Sequence, residues 1–120
     1  MKASSLVFDA IGTKWQIDYQ AGTLELSHKQ LLQKVIDRID LFDKAYSRFR
    51  KDSIVTQMAQ KKGTYVLPED SYELVTLYRK LYILTDGLFT PLIGQTLSDA
   101  GYDSQYSLKE KILSRPPTWE

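Results

Sequence analysis

The chain has 120 residues, 42% hydrophobic and 26% charged, which fits one ordinary globular domain able to bury roughly two-thirds of its unfolded surface. Its net charge of +1 excludes a field strong enough to steer it onto nucleic acid or an anionic membrane, and the absence of cysteine excludes disulfides, a thiolate nucleophile and a cysteine zinc site. No apolar run approaches the roughly 20 residues that span a bilayer, and the patch Leu6-Val7-Phe8, broken by Asp9, is too short for a signal peptide.

Residues 4–19 alternate loosely around Gly12-Thr13 and predict two strands, 5–10 and 14–19, joined or bent at the glycine. Ala21-Gly22 is a turn. Ser27, with Gln30 three residues on, has the spacing of a capping box. Leu32, Val35, Ile36, Ile39 and Phe42 then recur at helical intervals, predicting a helix from 28 to 45 or 46. Asp52 or Ser53 caps a short helix through 58 or 59, and residues 64–67 read as a short strand. Beyond Pro68, with Glu69 and Asp70 suited to a helix N-terminus, lies a second long helix. Leu74, Tyr78, Leu81 and Tyr82 form its apolar face, and Val75 and Leu77 widen it, so burial on more than one side is expected.

Thr85-Asp86-Gly87-Leu88-Phe89-Thr90-Pro91-Leu92-Ile93-Gly94 is the most informative stretch. Gly87 stops the long helix, and Pro91 fits the first turn of a third helix over 92–100. Such a break is expected to leave amide donors exposed beside Leu88 and Phe89, a ledge for a flat ligand with polar edges. The eight tyrosines offer further half-buried rings. After Gly101-Tyr102-Asp103 comes a charged tail. Trp119 then either packs back on the domain or begins a further strand of a longer protein, and continuation is the expectation.

The residues hold no complete catalytic set. His28, the sole histidine, reads as a solvated residue on a first helical turn. Asp37, Asp40 and Asp43 sit among Lys34, Arg38 and Lys44 and read as a charge-laced face before they read as a cation site. Arg48, Arg50 and Lys51 beside Tyr46 and Phe49 suit either a phosphate and a flat ring or a helix C-terminus. The helix start at Asp52-Ser53 suits an anion or a plain side-chain cap.

Three segments in order resemble the ApbE family, the FAD:protein FMN transferases. Ala10-Ile11-Gly12-Thr13-Lys14-Trp15-Gln16-Ile17 is similar to the family's Met-Gly-Thr strand turn. Ser47-Arg48-Phe49-Arg50-Lys51-Asp52-Ser53 is similar to its Ser-x-Tyr-x-x-Asp-Ser element, and residues 85–94 to its Gly-Ala-Phe-Asp-x-Thr-x-Gly ledge. Gly101-Tyr102 stands where the family often has Trp-Gly or Gly-Tyr. The resemblance covers nearly the whole chain but only the N-terminal part of the family's sequence. It implies transfer of FMN from FAD to a threonine hydroxyl of a partner protein, with AMP released and a magnesium ion bridging the diphosphate. The family's metal ligands come from a later Asp-Ala-x-x-Thr region with no counterpart here, so neither catalytic nor metal-binding residues are expected in this chain.

The resemblance implies that the chain contributes part of the flavin wall, through Ile11, Phe49, Leu88, Phe89 and Thr90. Ile11 stands for the family's methionine, Phe49 for its tyrosine and Thr90 for its aspartate, while Ala59 falls where an asparagine is common. These departures weaken polar contacts to a flavin, and packing alone is the competing role for each apolar position. The expected fold is α+β, with long amphipathic helices on a small antiparallel sheet whose unpaired edges would invite a homo-oligomer. The expected function is the N-terminal part of a flavin transferase, inactive alone. The alternative is a non-enzymatic flavin- or nucleotide-binding or interaction domain.

Overall fold

The alternation in residues 4–19 resolves into a single hairpin. A computed structural model of the chain describes residues 2–23 and 25–120. Strand β1, Ala3–Ala10, pairs antiparallel with β2, Thr13–Gln20, in the register Leu6↔Ile17 and Phe8↔Trp15. Because side chains alternate along a strand, Leu6, Phe8, Trp15, Ile17 and Tyr19 share the more buried face, and Leu6 is 1% exposed. Phe8 and Trp15 stack across the strands at 6.3 Å, and the Trp15 indole donates to the Ala10 carbonyl. On the other face Ser5 and Gln16 donate to the Asp18 carboxylate and hold its pKa below the ordinary value, Ser5 contributing most.

The hairpin closes on two residues, Ile11 (φ 44°) and Gly12 (φ 75°), both left-handed. That is the backbone of a type I′ turn, whose twist matches the strands. Glycine adopts it freely. A β-branched isoleucine does not, at a cost of about 1–2 kcal/mol.

Helix α1 spans His28–Tyr46. Its capping box is formed: the Ser27 hydroxyl accepts the Gln30 amide, and the Gln30 side chain accepts the Ser27 amide. The chain divides into two compact units, Met1–Lys44 and Ala45–Glu120, with the boundary inside α1. The first unit is the hairpin with most of α1. The second holds helices α2 (Ile54–Gln60), α3 (Ser71–Leu84) and α4 (Gly94–Asp99). The fold is thus α+β, with one two-stranded antiparallel sheet among the described residues. No helix among them is long and apolar enough to cross a membrane.

Three sequence expectations are corrected here. Residues 64–67 form no strand, because a strand needs a ladder partner and β1 and β2 pair only with each other. Instead, the Tyr65 hydroxyl caps the end of α2 by donating to the Lys61 carbonyl at 2.5 Å. Helix α3 is not buried on several sides. Tyr72, Val75, Leu77, Ile83 and Leu84 are 47–79% exposed, since these 120 residues cover only the stripe through Leu74, Leu81 and Tyr82. The last helix begins at Gly94, so Pro91 lies in the bend before it.

Helices α3 and α4 end in the same way. The Gly87 amide reaches the Tyr82 carbonyl and the Asp86 amide that of Ile83; the Tyr102 amide reaches Leu97 and the Gly101 amide Ser98. Both are Schellman caps. In the first the left-handed residue is Asp86 (φ 52°), with Gly87 following at φ 81°. In the second it is Gly101 (φ 99°), and a Cβ there would lie 2.8 Å from the Leu108 backbone. The tail can therefore pass α4 only over a bare glycine. It is fixed by buried Asp99, whose carboxylate accepts from the Ser114 hydroxyl, the Gln95 side chain and the Ser114 amide. These bonds, the Ser114 hydroxyl foremost, hold the Asp99 pKa below its ordinary value.

Gly101→Ala is expected to lower stability by about 2–4 kcal/mol in urea unfolding. Gly94→Ala, whose methyl meets only the Arg48 side chain at 3.8 Å, should stay within about 1 kcal/mol. Because the Asp99 pKa is depressed in the folded state, its contribution is present above the unfolded value near 3.8 and is lost as pH falls through the folded one. A urea midpoint that declines below about pH 4, and declines less steeply in Asp99→Asn, is the expected outcome.

Candidate functional site

The segment 47–53 folds into a closed loop between α1 and α2. Its centre is Ser53, fully buried at 0% exposure. The Ser53 hydroxyl accepts the Thr56 amide as the N-cap of α2 and donates to the Ser47 carbonyl at 2.5 Å. Each hydroxyl has one proton to give. That of Thr56 goes to the Arg50 carbonyl at 2.7 Å. The Ser47 hydroxyl in turn accepts the Phe49 amide at 3.2 Å. Two serines thus fix the backbone that carries Phe49.

Both arginines of this loop are engaged within the protein, while Lys51 is exposed. Arg48 donates to the carbonyls of Gly94, at 3.2 Å, and Tyr102, at 2.9 Å, and its guanidinium lies 5.1 Å from the centre of the Phe49 ring. Arg50 forms a two-pronged pair with Asp52 at 3.0 and 3.1 Å. Neither arginine is directed at an outside anion, which favours an internal role for these two. The Phe49 ring, 38% exposed, stacks on Tyr106 at 4.4 Å and 15°. Sequence reasoning missed Tyr106, because nothing in the spacing of residues 49 and 106 signals their contact.

Part of the ledge's backbone is satisfied within the segment: besides the cap bonds, the Leu88 amide reaches the Thr85 carbonyl, and Phe89 and Leu92 donate to the hydroxyls of Thr85 and Thr90. Leu88 is 89% exposed, while Phe89 is 44% exposed and stacks on Tyr78 at 5.6 Å. Thr90 is half-buried, its hydroxyl occupied by Leu92. Arg48 ties this segment to the Phe49 loop through Gly94. Ile11 belongs to the first unit, at its hairpin tip, 48% exposed.

Other candidates resolve as structural. His28 is exposed, its Nδ1 2.9 Å from the Tyr19 hydroxyl. Asp37 accepts from Gln33, and Asp40 pairs with Lys44. Among the described residues no group of three His, Cys, Asp or Glu is gathered to hold a metal ion. Trp119 packs on α3: its amide donates to the Tyr82 hydroxyl, and its carbonyl accepts from Arg79. With Val75, Ile83 and Leu84 it lines an open groove of about 610 Å³ that contains none of the sequence-assigned site residues.

A sequence model of the ApbE family matches residues 11–116. No curated protein matches the chain. Among solved structures it is similar to a flavin transferase ApbE from Vibrio cholerae, with 20% identity and a TM-score of 0.77, covering 98% of this chain and 37% of that one. It is also similar to the flavinyl transferase ApbE of Pseudomonas stutzeri, with 23% identity and a TM-score of 0.79, covering 94% and 36%. The ApbE protein of Thermotoga maritima gives 21% identity and a TM-score of 0.74 over 95% and 36%. At these identities the likeness is one of fold, and the chain spans a little over a third of the length of each.

Ser53→Ala removes both the cap and the bond to Ser47. An expected loss of about 1–3 kcal/mol is checked by urea unfolding.

Proposed function

The chain belongs to the ApbE family, and from that premise we propose that it is the N-terminal part of an FAD:protein FMN transferase and supplies part of the wall that receives the flavin. One observation carries this reading. The family match runs from Ile11 through all of the 47–53 loop and the 85–94 ledge, and the latter two are tied by Arg48 into one unit that presents Phe49, Tyr106 and Leu88. Exposed rings and an exposed leucine suit a flat, largely apolar ring system.

In the reaction, the threonine oxygen of an acceptor protein attacks the phosphorus of the FMN half of FAD. The bond to AMP breaks, AMP leaves, and the hydroxyl proton passes to a base. Catalysis of such a transfer rests on positioning and on cations at the phosphates. Arg48 and Arg50 are engaged elsewhere. In the proposed division of labour this chain binds and orients the ring, and transfer requires the rest of the enzyme. Thr90, with its hydroxyl accepting from Leu92, offers the flavin less than an aspartate would. The acceptor protein and the magnesium ion belong to the whole enzyme.

The test mixes the chain with FAD, magnesium and a threonine-containing acceptor, and reads AMP release and flavin fluorescence of the acceptor in a gel. Equilibrium dialysis reads FAD binding separately. Binding without transfer is expected. Transfer by this chain alone overturns its assignment as an incomplete part, and absence of binding overturns the flavin reading.

A further inference from the structure

Tyr106 lies outside the segments that carry the family resemblance, yet it occupies the position that matters most to a flat ligand at Phe49. Its ring lies over Phe49 at 4.4 Å and 15°, and Tyr106 remains 54% exposed. A ligand ring cannot reach that face of Phe49 unless Tyr106 leaves it.

The backbone around Tyr106 argues that it stays. Tyr106 (φ 51°) and Leu108 (φ 54°) are both left-handed, a conformation that non-glycine residues keep only where their surroundings enforce it. Here the surroundings do. The Asp103 carboxylate accepts the amides of Gln105 and Ser107, each at 3.0 Å, and the Ser107 hydroxyl. The Tyr106 amide reaches the Asp103 carbonyl, and the Leu108 amide reaches the carbonyl of Gly101, the glycine that the passing chain requires. The backbone that carries the ring is thus held by several bonds within one short loop, and the ring itself rests on Phe49.

We propose that Tyr106 is the ring on which a flavin stacks, through the face turned away from Phe49, and that Phe49 acts behind it as a positioning residue. This inference rests on the flavin reading above and assigns the contact within it. Stacking on a phenol fits the isoalloxazine of FAD, whose large flat π-surface gains from an aromatic partner. It also gives a spectroscopic signature, since a phenol in van der Waals contact quenches flavin emission by electron transfer.

The experiment titrates FAD into the wild-type chain and its variants, following emission for quenching and equilibrium dialysis for affinity. Wild type is expected to bind with quenching. Tyr106→Ala should weaken binding about tenfold or more and abolish quenching. Tyr106→Phe keeps the stacked ring, so it should bind within about threefold of wild type with much reduced quenching, and it decides the matter if the alanine variant fails to fold. Tyr106→Trp should restore quenching. If wild type binds and Tyr106→Ala binds equally or more tightly, or if Tyr106→Phe quenches fully, this inference falls while the flavin reading stands. If wild type binds no FAD up to about 1 mM, where binding free energy is only about −4 kcal/mol, both fall together.

Discussion

The passage of the tail across α4 depends on one buried carboxylate. Asp99 accepts bonds from Gln95 on its own helix and from Ser114 fifteen residues on, and so ties a segment without regular secondary structure to α4. Thr96 adds a second tie by donating to the Ser114 carbonyl. The Lys111 amide completes it at the Asp99 carbonyl. Gly101 then becomes obligatory, because Leu108 returns through the space a side chain would take. Between those two fixed points the loop has little choice but to project Tyr106, and the aromatic surface at Phe49 follows from it.

Polar satisfaction, more than apolar burial, organises this molecule. The buried hydrophobic residues among those described are Leu6 and Ala45, and the buried polar ones are Ser53 and Asp99. A buried polar group is costly unless paired. Both are paired, and no enclosed side-chain polar atom among the described residues lacks a partner. Pairing of polar groups recurs at the ledge, where the hydroxyls of Thr85 and Thr90 accept the amides of Phe89 and Leu92 beside exposed Leu88 and Phe89.

On that surface Arg48 is held by two carbonyls and Arg50 by Asp52. A chain spanning a little over a third of the ApbE structures it resembles has, in this reading, the ring-orienting share of the work. The exposed apolar side of α3, with Val75, Ile83 and Leu84, is likewise more than a helix in a finished core leaves uncovered.

Local patterns determined much of this protein. The capping box at Ser27 and Gln30, the cap at Ser53, the hairpin at Gly12 and the stop near Gly87 are each decided by residues a few positions apart, and each forms. So did the three segments that carry the family resemblance, since a motif of fixed spacing is a local object. What the sequence could not determine was the pairing of distant groups. Residues 64–67 have the composition of a strand but no partner ladder, α3 has the pattern of a buried helix but too few neighbours, and Arg48 has the charge of an anion ligand but finds two carbonyls first. The stack of Tyr106 on Phe49 joins residues 57 positions apart through a loop bent by left-handed residues that no propensity favours. Only the tertiary structure decides such contacts, because their energy comes from which groups the folded chain brings together, not from what each residue prefers alone.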